Sequence, residues 1–196
     1  KTYYFKKFLS NPNHEYSLFL REFISRRWKN LGKINDLQIN KFNTGYKIFW
    51  SAPKSPLISI IIPTKDKLSL LKKCVESIFK TKCGVKYEIL ILDNKSKNRM
   101  TYEYYESLKN KFSNILNIYK YNYEFNYSRI NNYAYQFTKG EVLLFLNNDV
   151  EFISENWGLD LYTNALRPEI GCVGSKLLYP NKTIQHAGIV VGISGT

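Results

Sequence analysis

The sequence contains little cysteine: Cys74, Cys83 and Cys172 are the three copies among 196 residues, and no Cys-x-x-Cys pair occurs. The odd number and the spacing argue against a structural zinc site and favour a reducing, cytoplasmic setting. Cys74 and Cys172 lie in apolar segments, where we expect a free cysteine to pack as a small hydrophobic side chain.

Long hydrophobic runs are also missing. No apolar stretch approaches the roughly 18 residues that cross a bilayer, and residues 1–7 lack the continuous apolar centre of a secretory signal. The sequence does not begin with methionine, so we expect it to be a fragment of a longer chain. Its 44% hydrophobic and 16% aromatic content is typical of a folded globular protein.

Glycine-rich phosphate loops are absent as well. No Gly-x-Gly-x-x-Gly follows a predicted strand, and no Gly-x-x-x-x-Gly-Lys-Ser/Thr occurs in the sequence. A glycine loop of the dinucleotide-binding or P-loop type is therefore excluded. Any phosphate bound here must be held by side chains and a metal ion.

Acidic residues are scarce relative to basic ones, with 16 Asp and Glu against 29 Lys and Arg, which gives a net charge of +13. Such an excess favours polyanionic partners, including nucleic acid, an anionic membrane surface and phosphorylated substrates. The lysines are scattered along the first 140 positions, which is more typical of a solvated basic surface. A basic nucleic-acid-binding module and a peripheral membrane-binding module stay open as alternatives. No nucleic-acid-binding fold motif accompanies the charge, so we expect no nucleic acid partner.

The first 52 residues differ in pattern from the rest of the chain. Apolar residues at helical spacing predict an amphipathic helix over 15–29, with arginines on its other face. This helix either packs on the next domain or rests on anionic lipid. Residues 51–56 contain two prolines and predict a linker. We therefore predict an N-terminal helical segment with its linker over 1–52 and a second domain over 53–196.

Strand and helix patterns alternate in the second domain. The predicted strands are 57–62, 87–92, 115–119 and the run after Gly140, and the predicted helices between them are 67–80, 99–112 and 127–138. This alternation predicts an α/β fold with a mostly parallel, Rossmann-like sheet and helices on both faces. A helix over 155–166 and two short strands, 170–174 and 183–193, around a turn at 179–182 complete the prediction.

The most informative segment is 140–151, in which an apolar run ends in Asn147, Asn148 and Asp149, with Glu151 two positions on. The run predicts a strand buried on both faces. In open α/β sheets, ligands bind just beyond the carboxyl ends of the strands. Mg²⁺ is held in such places by one or two carboxylates together with substrate phosphates. The segment predicts a metal–diphosphate site, with a simple polar turn after a core strand as the alternative.

Polar residues follow two other predicted strands. Pro63, Thr64 and Asp66 follow the first strand and Asp93 the second. Because the carboxyl ends of parallel strands meet at one edge of a sheet, we expect these residues to share a crevice with Asp149. Asp93 would accept hydrogen bonds from a base or ribose. The alternatives are a helix N-cap for Asp66 and an Asx-turn for Asp93.

His186 has two interpretations. A neutral imidazole donates and accepts a hydrogen bond, so His186 would contact the diphosphate or the acceptor. Alternatively, it is a hydrogen-bonded histidine of a β-turn.

Three segments in this order and spacing, 59–64, 88–96 and 139–149, resemble glycosyltransferase family 2. The resemblance covers about 57–192 and implies the nucleotide-binding half of a GT-A fold, with the acceptor half missing. Residues 125–128 with Asn131 and Asn132 resemble the family's segment before its metal motif. Within the family, residues 147–149 and 183–188 resemble a rhamnosyltransferase-like, O-antigen-type branch.

The resemblance implies roles for particular residues. Asp93 would bind the nucleobase, with Thr64 beside it, and Asp149 would be the final acid of an Asp-x-Asp motif and the principal ligand of Mg²⁺ or Mn²⁺. Asn147 replaces the first acid of that motif, which removes a charge and leaves the strength of metal binding open. Glu151 is a candidate second metal ligand. The whole predicted donor-binding set is Pro63, Thr64, Asp66, Asp93, Asn147, Asn148 and His186.

The reaction implied is transfer of a sugar, with inversion, from a nucleoside diphosphate sugar to a saccharide or lipid-linked acceptor in cell-surface polysaccharide synthesis. The general base is expected beyond Thr196, so no catalytic residue is assigned. The setting implied is cytoplasmic, with the inner face of the cell membrane as a possible contact.

Overall fold

The structure, a computed structural model, describes residues 54–168 and 170–188, the single residues Glu22, Arg26 and Ala52, and the backbone of 34–39 and 46–50. The predicted helix over 15–29 lies outside the described residues apart from Glu22 and Arg26. These two are helical and form an ion pair of 2.5 Å between an Arg26 nitrogen and Glu22 Oε1.

The chain divides into two compact units, one of residues 52–162 and the other of residues 1–51 with 163–196. The boundary between residues 51 and 52 falls inside the predicted linker. The predicted domain limits, 1–52 and 53–196, stay a prediction.

The unit 52–162 contains a four-stranded parallel sheet. Its strands are β3 (Leu57–Thr64), β4 (Lys86–Asp93), β5 (Leu116–Lys120) and β6 (Val142–Phe145), and their order across the sheet is β5–β4–β3–β6. Each strand is followed by a helix: α1 (Leu68–Lys80), α2 (Arg99–Phe112), α3 (Tyr127–Tyr135) and α4 (Trp157–Ala165). The predicted mostly parallel α/β fold is therefore confirmed.

The two central strands are buried on both faces because helices cover each side. On one face Ile58, Ile60 and Ile62 of β3 pack in a cluster with residues of α1 and α2. On the other face Ile61 of β3 and two leucines of β4 pack with Ile130 and Ala134 of α3. A fully buried side chain of this size contributes about 1.5–3 kcal/mol, so the branched, near-continuous apolar sequence of β3 accounts for its central position.

A buried hydrogen-bond network fixes the start of β6. The Glu88 carboxylate accepts hydrogen bonds from Ser59 Oγ at 2.7 Å and from the Lys139 amide at 2.6 Å, and Ser59 Oγ accepts one from the Gly140 amide at 2.8 Å. A Cβ added to Gly140 would lie 2.6 Å from the Ser59 nitrogen. Only glycine fits where the chain approaches the backbone of β3 this closely, because every other residue adds a Cβ.

Strand β6 differs from its prediction. It is half-buried and ends on Phe145, whose side chain is 50% exposed, whereas the sequence predicted a strand buried on both faces. The reason is its position: among the described residues β6 pairs with β3 and forms one edge of the sheet. Apolar runs at an edge and at the centre of a parallel sheet are alike in sequence.

The other unit contains two antiparallel pairs among its described residues. Strands β1 (Ile34–Ile39) and β2 (Tyr46–Trp50) form a hairpin that the sequence pattern did not predict, and β7 (Leu177–Leu178) pairs with β8 (Ile184–His186). The turn between β7 and β8 falls at the predicted 179–182, where the Lys182 amide donates to the Tyr179 carbonyl at 2.8 Å. The strand predicted over 170–174 is absent, and Cys172 is exposed, so the prediction that it is buried was wrong.

None of the helices in the described part of the chain combines the length and the apolar character needed to span a bilayer.

Candidate nucleotide-diphosphate site

A cleft of about 280 Å³ lies where β3, β4 and β6 end. It is lined by Pro63, Thr64, Lys65, Asn94, Phe125, Tyr127, Asn147, Asn148 and Asp149. A wider hollow of about 500 Å³ lies around the opposite ends of β3 and β4, but none of the residues that line it is Asp or Glu. The smaller cleft combines a carboxylate with amides at the carboxyl ends of parallel strands, where ligands bind in this fold class.

Strand ends that are distant in sequence meet in this cleft through hydrogen bonds. The Asn148 side chain donates to Thr64 Oγ1 at 2.8 Å, and the Asn94 backbone amide donates to the Thr64 carbonyl at 2.8 Å. The predicted residues Pro63, Thr64, Asn147, Asn148 and Asp149 therefore line one cavity. Their roles in donor binding stay predictions.

The donor set at the end of β6 suits a hard divalent cation that also binds substrate phosphate. Asp149 and Asn147 are exposed at the cleft and offer a carboxylate and an amide oxygen. The described residues contain no cluster of three His, Cys, Asp or Glu that would enclose an ion without help. Mg²⁺ and Mn²⁺ sites of one carboxylate completed by water and phosphate oxygens fit this arrangement.

Glu151 is exposed and is not among the residues lining the cleft. Burial is the main cause that raises the pKa of the Cys74 thiol to about 12, and the charges of Asp149 and Glu151 add to it. The role of Glu151 as a second metal ligand stays a prediction.

Helix α1 supports the loop that carries Asp149. Cys74 Sγ lies 3.7 Å from the Asn147 carbonyl oxygen, and Ser77 Oγ accepts a hydrogen bond from the Phe152 amide at 3.0 Å while donating to the Cys74 carbonyl at 2.7 Å. Both side chains are buried. The loop is thus held at both ends by one helix, which restricts where Asp149 can lie.

We expect Ser77→Ala to increase amide hydrogen exchange at Phe152, because the substitution removes the acceptor of that amide. The loss of a buried hydrogen bond costs about 1 kcal/mol. Amide exchange followed by NMR measures the effect. Ser107→Ala is the matched control, since the Ser107 hydroxyl also donates to a carbonyl of its own helix, at 2.8 Å, but is exposed. Equal exchange at Phe152 in both variants would show that Ser77 does not hold the loop.

Asp93 is buried beside the cleft and does not line it. Its side chain accepts a hydrogen bond from the Tyr105 hydroxyl at 3.0 Å, and the residue is 2% exposed. Burial, together with the Asp93 charge, raises the pKa of Tyr105 strongly. The carboxylate therefore accepts a hydrogen bond from a tyrosine of α2, and its described hydrogen bonds do not form an Asx-turn. Its role in binding the nucleobase stays a prediction.

Asp66 caps a different segment from the one expected. Its Oδ1 accepts hydrogen bonds from the amides of Lys97 and Asn98, each at 2.9 Å, just before α2. Helix α1 begins after Lys67 without a side-chain cap. The prediction that Asp66 caps its own helix was wrong, because the chain takes left-handed conformations at Asp66 and Lys67. Asp66 is not among the cleft residues, and its role in donor binding stays a prediction.

His186 is half-buried on β8, opposite Leu177, in the other unit. Its proposed contact with the diphosphate or acceptor stays a prediction.

Four cleft residues were not in the predicted donor-binding set: Lys65, Asn94, Phe125 and Tyr127. The side-chain nitrogen of Asn94, Nδ2, donates to the backbone carbonyls of Tyr121 and Tyr123, at 3.1 and 2.9 Å. These bonds fix the segment leading to Phe125. Phe125 is 64% exposed. The similarity of 125–128 to a family segment marked this region, but no residue-level signal placed its rings beside the strand ends.

The parallel sheet and the polar cleft at its carboxyl ends define an α/β protein with a Rossmann-like, GT-A fold. Residues 59–186 match the model of glycosyl transferase family 2, and the chain belongs to this family. The resemblance inferred from the three sequence segments is thereby confirmed.

Two curated proteins are similar to the chain. It is 39% identical over 150 residues to the O-antigen biosynthesis protein RfbC of Myxococcus xanthus, an alignment that covers 76% of this chain and 12% of RfbC. It is 36% identical over 164 residues to the uncharacterized protein y4gI of Sinorhizobium fredii, covering 84% of this chain and 18% of y4gI. The chain thus spans less than a fifth of the length of these relatives.

Solved structures share the fold. A mannosyltransferase of Pyrobaculum calidifontis, PcManGT, in complex with GDP-Man and Mn²⁺ is similar over 90% of this chain and 47% of its own, with a TM-score of 0.55 and 15% identity. GalNAc-T7 with UDP, GalNAc and Mn²⁺ is similar over 57% of this chain and 21% of its own, with a TM-score of 0.50 and 19% identity. At these identities the likeness supports the fold alone.

Proposed function

We propose that the unit 52–162 binds the nucleotide and diphosphate of a nucleoside diphosphate sugar, and that the complete protein transfers the sugar to a saccharide or lipid-linked acceptor. The observation that carries the proposal is the cleft in which Thr64, Asn148 and Asp149 meet at the carboxyl ends of β3 and β6. Family membership supports the reaction class.

Within this proposal, Asp149 would hold a divalent cation, with Asn147 as a neutral second ligand. The bound cation would stabilise the negative charge that develops on the leaving diphosphate. The partly buried Thr64–Asn148 hydrogen bond holds the end of β3 against the loop of Asp149, so the cation-binding and phosphate-binding groups stay close together. The Asn94 contacts with Tyr121 and Tyr123 position Phe125 and Tyr127 along the same cavity.

The proposed transfer inverts the anomeric carbon. The acceptor oxygen bonds to that carbon as the bond to the diphosphate oxygen breaks, and the electron pair leaves with the diphosphate. A general base takes the acceptor proton. Among the described residues, Asp149 is the one carboxylate lining the cleft and is assigned to the cation, so we assign the base to a residue outside this lining.

The biological role that we propose is synthesis of a cell-surface polysaccharide of the O-antigen type, on the support of the similarity to RfbC. The three free cysteines suit a reducing cytoplasm, where we place the reaction. Contact of residues 15–29 with the inner face of the membrane stays a prediction, because the structure describes only Glu22 and Arg26 of this segment.

Thermal unfolding with nucleotides tests the proposal. We expect UDP or GDP to stabilise the protein, more in Mn²⁺ than in EDTA, because a ligand that binds the native state raises its stability by about 2.7 kcal/mol at 100 times its dissociation constant. Uridine and guanosine are the uncharged controls, and heparin is the control for nonspecific polyanion binding. The proposal fails if no nucleotide stabilises the protein, or if heparin does so equally well and the effect vanishes in salt.

A further inference from the structure

Lys65 is the single basic residue among the nine described residues that line the cleft. It is exposed and follows directly after β3. The ion pairs between described residues of the unit 52–162 involve Lys80, Arg99 and Lys109, and do not include Lys65. Lys65 therefore lines the same cavity as Asp149 and has no carboxylate partner among the described ion pairs.

The backbone on both sides of Lys65 is fixed. Thr64 is 4% exposed and is bonded to Asn148, whereas Asp66 is tied to the segment before α2 by two bonds of 2.9 Å to its carboxylate. Asp66 and Lys67 have φ angles of 50° and 51°, a conformation that is costly for residues other than glycine and persists where surrounding contacts impose it. The Lys65 side chain thus starts from an anchored position at the edge of the cleft.

The charges of the cleft explain what this lysine would do. Asp149 and Lys65 are its two formally charged side chains, and Asn147 is neutral at the position where a second carboxylate would strengthen cation binding. A diphosphate carries several negative charges, and one carboxylate recruits a cation less strongly than two. An ammonium group binds phosphate directly, as a compact point charge.

We propose that the Lys65 ammonium binds the diphosphate of the donor directly and supplies a share of donor affinity that does not depend on the metal ion. This inference rests on the proposed function, since it assigns a residue to the same site. It predicts a protein whose nucleotide binding weakens in EDTA without being abolished.

Calorimetry with UDP and GDP, in EDTA and in Mn²⁺, tests the inference on Lys65→Met. We expect the affinity in EDTA to fall about tenfold, the scale of a charge-assisted hydrogen bond, and binding of uridine and guanosine to stay unchanged. Lys65→Arg should retain most of the affinity. Lys67→Met is the matched control, because Lys67 is exposed two positions on, is absent from the cleft lining and should change affinity less than twofold. The melting temperature should be the same in all variants, since both lysines are exposed.

The outcomes separate the two proposals. If wild-type protein binds neither diphosphate in either buffer, the donor-binding proposal fails and this one fails with it. If wild-type protein binds only in Mn²⁺, or if Lys65→Met binds as tightly as wild type in EDTA, the assignment of Lys65 is wrong while donor binding stands. Equal losses in Lys65→Met and Lys67→Met would mean that general basic charge, and not a contact in the cleft, supports binding.

Discussion

We expect Gly140→Ala to lower the free energy of unfolding by about 3 kcal/mol, the upper part of the range for overpacking a buried site. The added Cβ would lie 2.6 Å from the Ser59 nitrogen and 2.8 Å from the Leu57 carbonyl oxygen. These are backbone atoms of a central strand and cannot move aside as a flexible side chain can. Chemical denaturation measures the change, which corresponds to a fall in melting temperature of roughly 6–12 °C.

Gly174→Ala is the control for this prediction. A Cβ at Gly174 meets nothing within 4 Å. The free energy of unfolding of Gly174→Ala should therefore stay within about 0.5 kcal/mol of the wild-type value. Wild-type stability in Gly140→Ala would mean that Gly140 does not lie as close to β3 as described. Hydrogen bonds that join Lys139 and Gly140 to Glu88 and Ser59 hold the chain in this close approach.

The second large effect is expected from Asp149→Ala. In Mn²⁺ we expect its affinity for UDP or GDP to fall about 100-fold, to the affinity that wild-type protein has in EDTA, a difference of about 2.7 kcal/mol. The reason is that Asp149 is the one carboxylate lining the cleft, so no described neighbour replaces it as a cation ligand. Calorimetric titration measures the change, and stability should be unaffected because Asp149 is exposed.

Glu151→Ala is the comparison for Asp149→Ala. Glu151 is outside the cleft lining, so we expect it to weaken binding less than Asp149→Ala does. An equal loss in both variants would place Glu151 with Asp149 at the cation. Mn²⁺-dependent binding that survives in Asp149→Ala would remove the proposed cation site.

Much of the fold could be predicted because its central strands and helices have strong periodicity. Helix α2 was predicted over 99–112 and is found at Arg99–Phe112, and the β-branched run of β3 is buried on both faces as expected. The pattern fails where tertiary contacts decide the outcome. Strand β6 is an edge strand, and residues 170–174 have an apolar sequence but form no strand, because short apolar runs carry no information about their partners.

The candidate site was predictable to the extent that it lies at strand ends. Parallel topology brings Thr64 and the 147–149 loop to one edge, as the sequence predicted. The contributions of Lys65 and Phe125 depend on loop conformation, namely the left-handed turn at Asp66 and the Asn94 bonds to Tyr121 and Tyr123. Hydrogen bonds between loops of different strands leave no periodic signal in the sequence.

Paramagnetic broadening of backbone NMR signals by Mn²⁺, in the presence of UDP or GDP, tests the proposed cation site most directly. Such broadening falls steeply with distance from the ion, so it locates the cation on the protein. A cation held at Asp149 predicts the strongest losses at residues 64–65 and 147–149, which line the cleft. Strongest losses at residues 54–56 and 81–87, around the opposite ends of the strands, or uniform losses over the chain, would contradict that site.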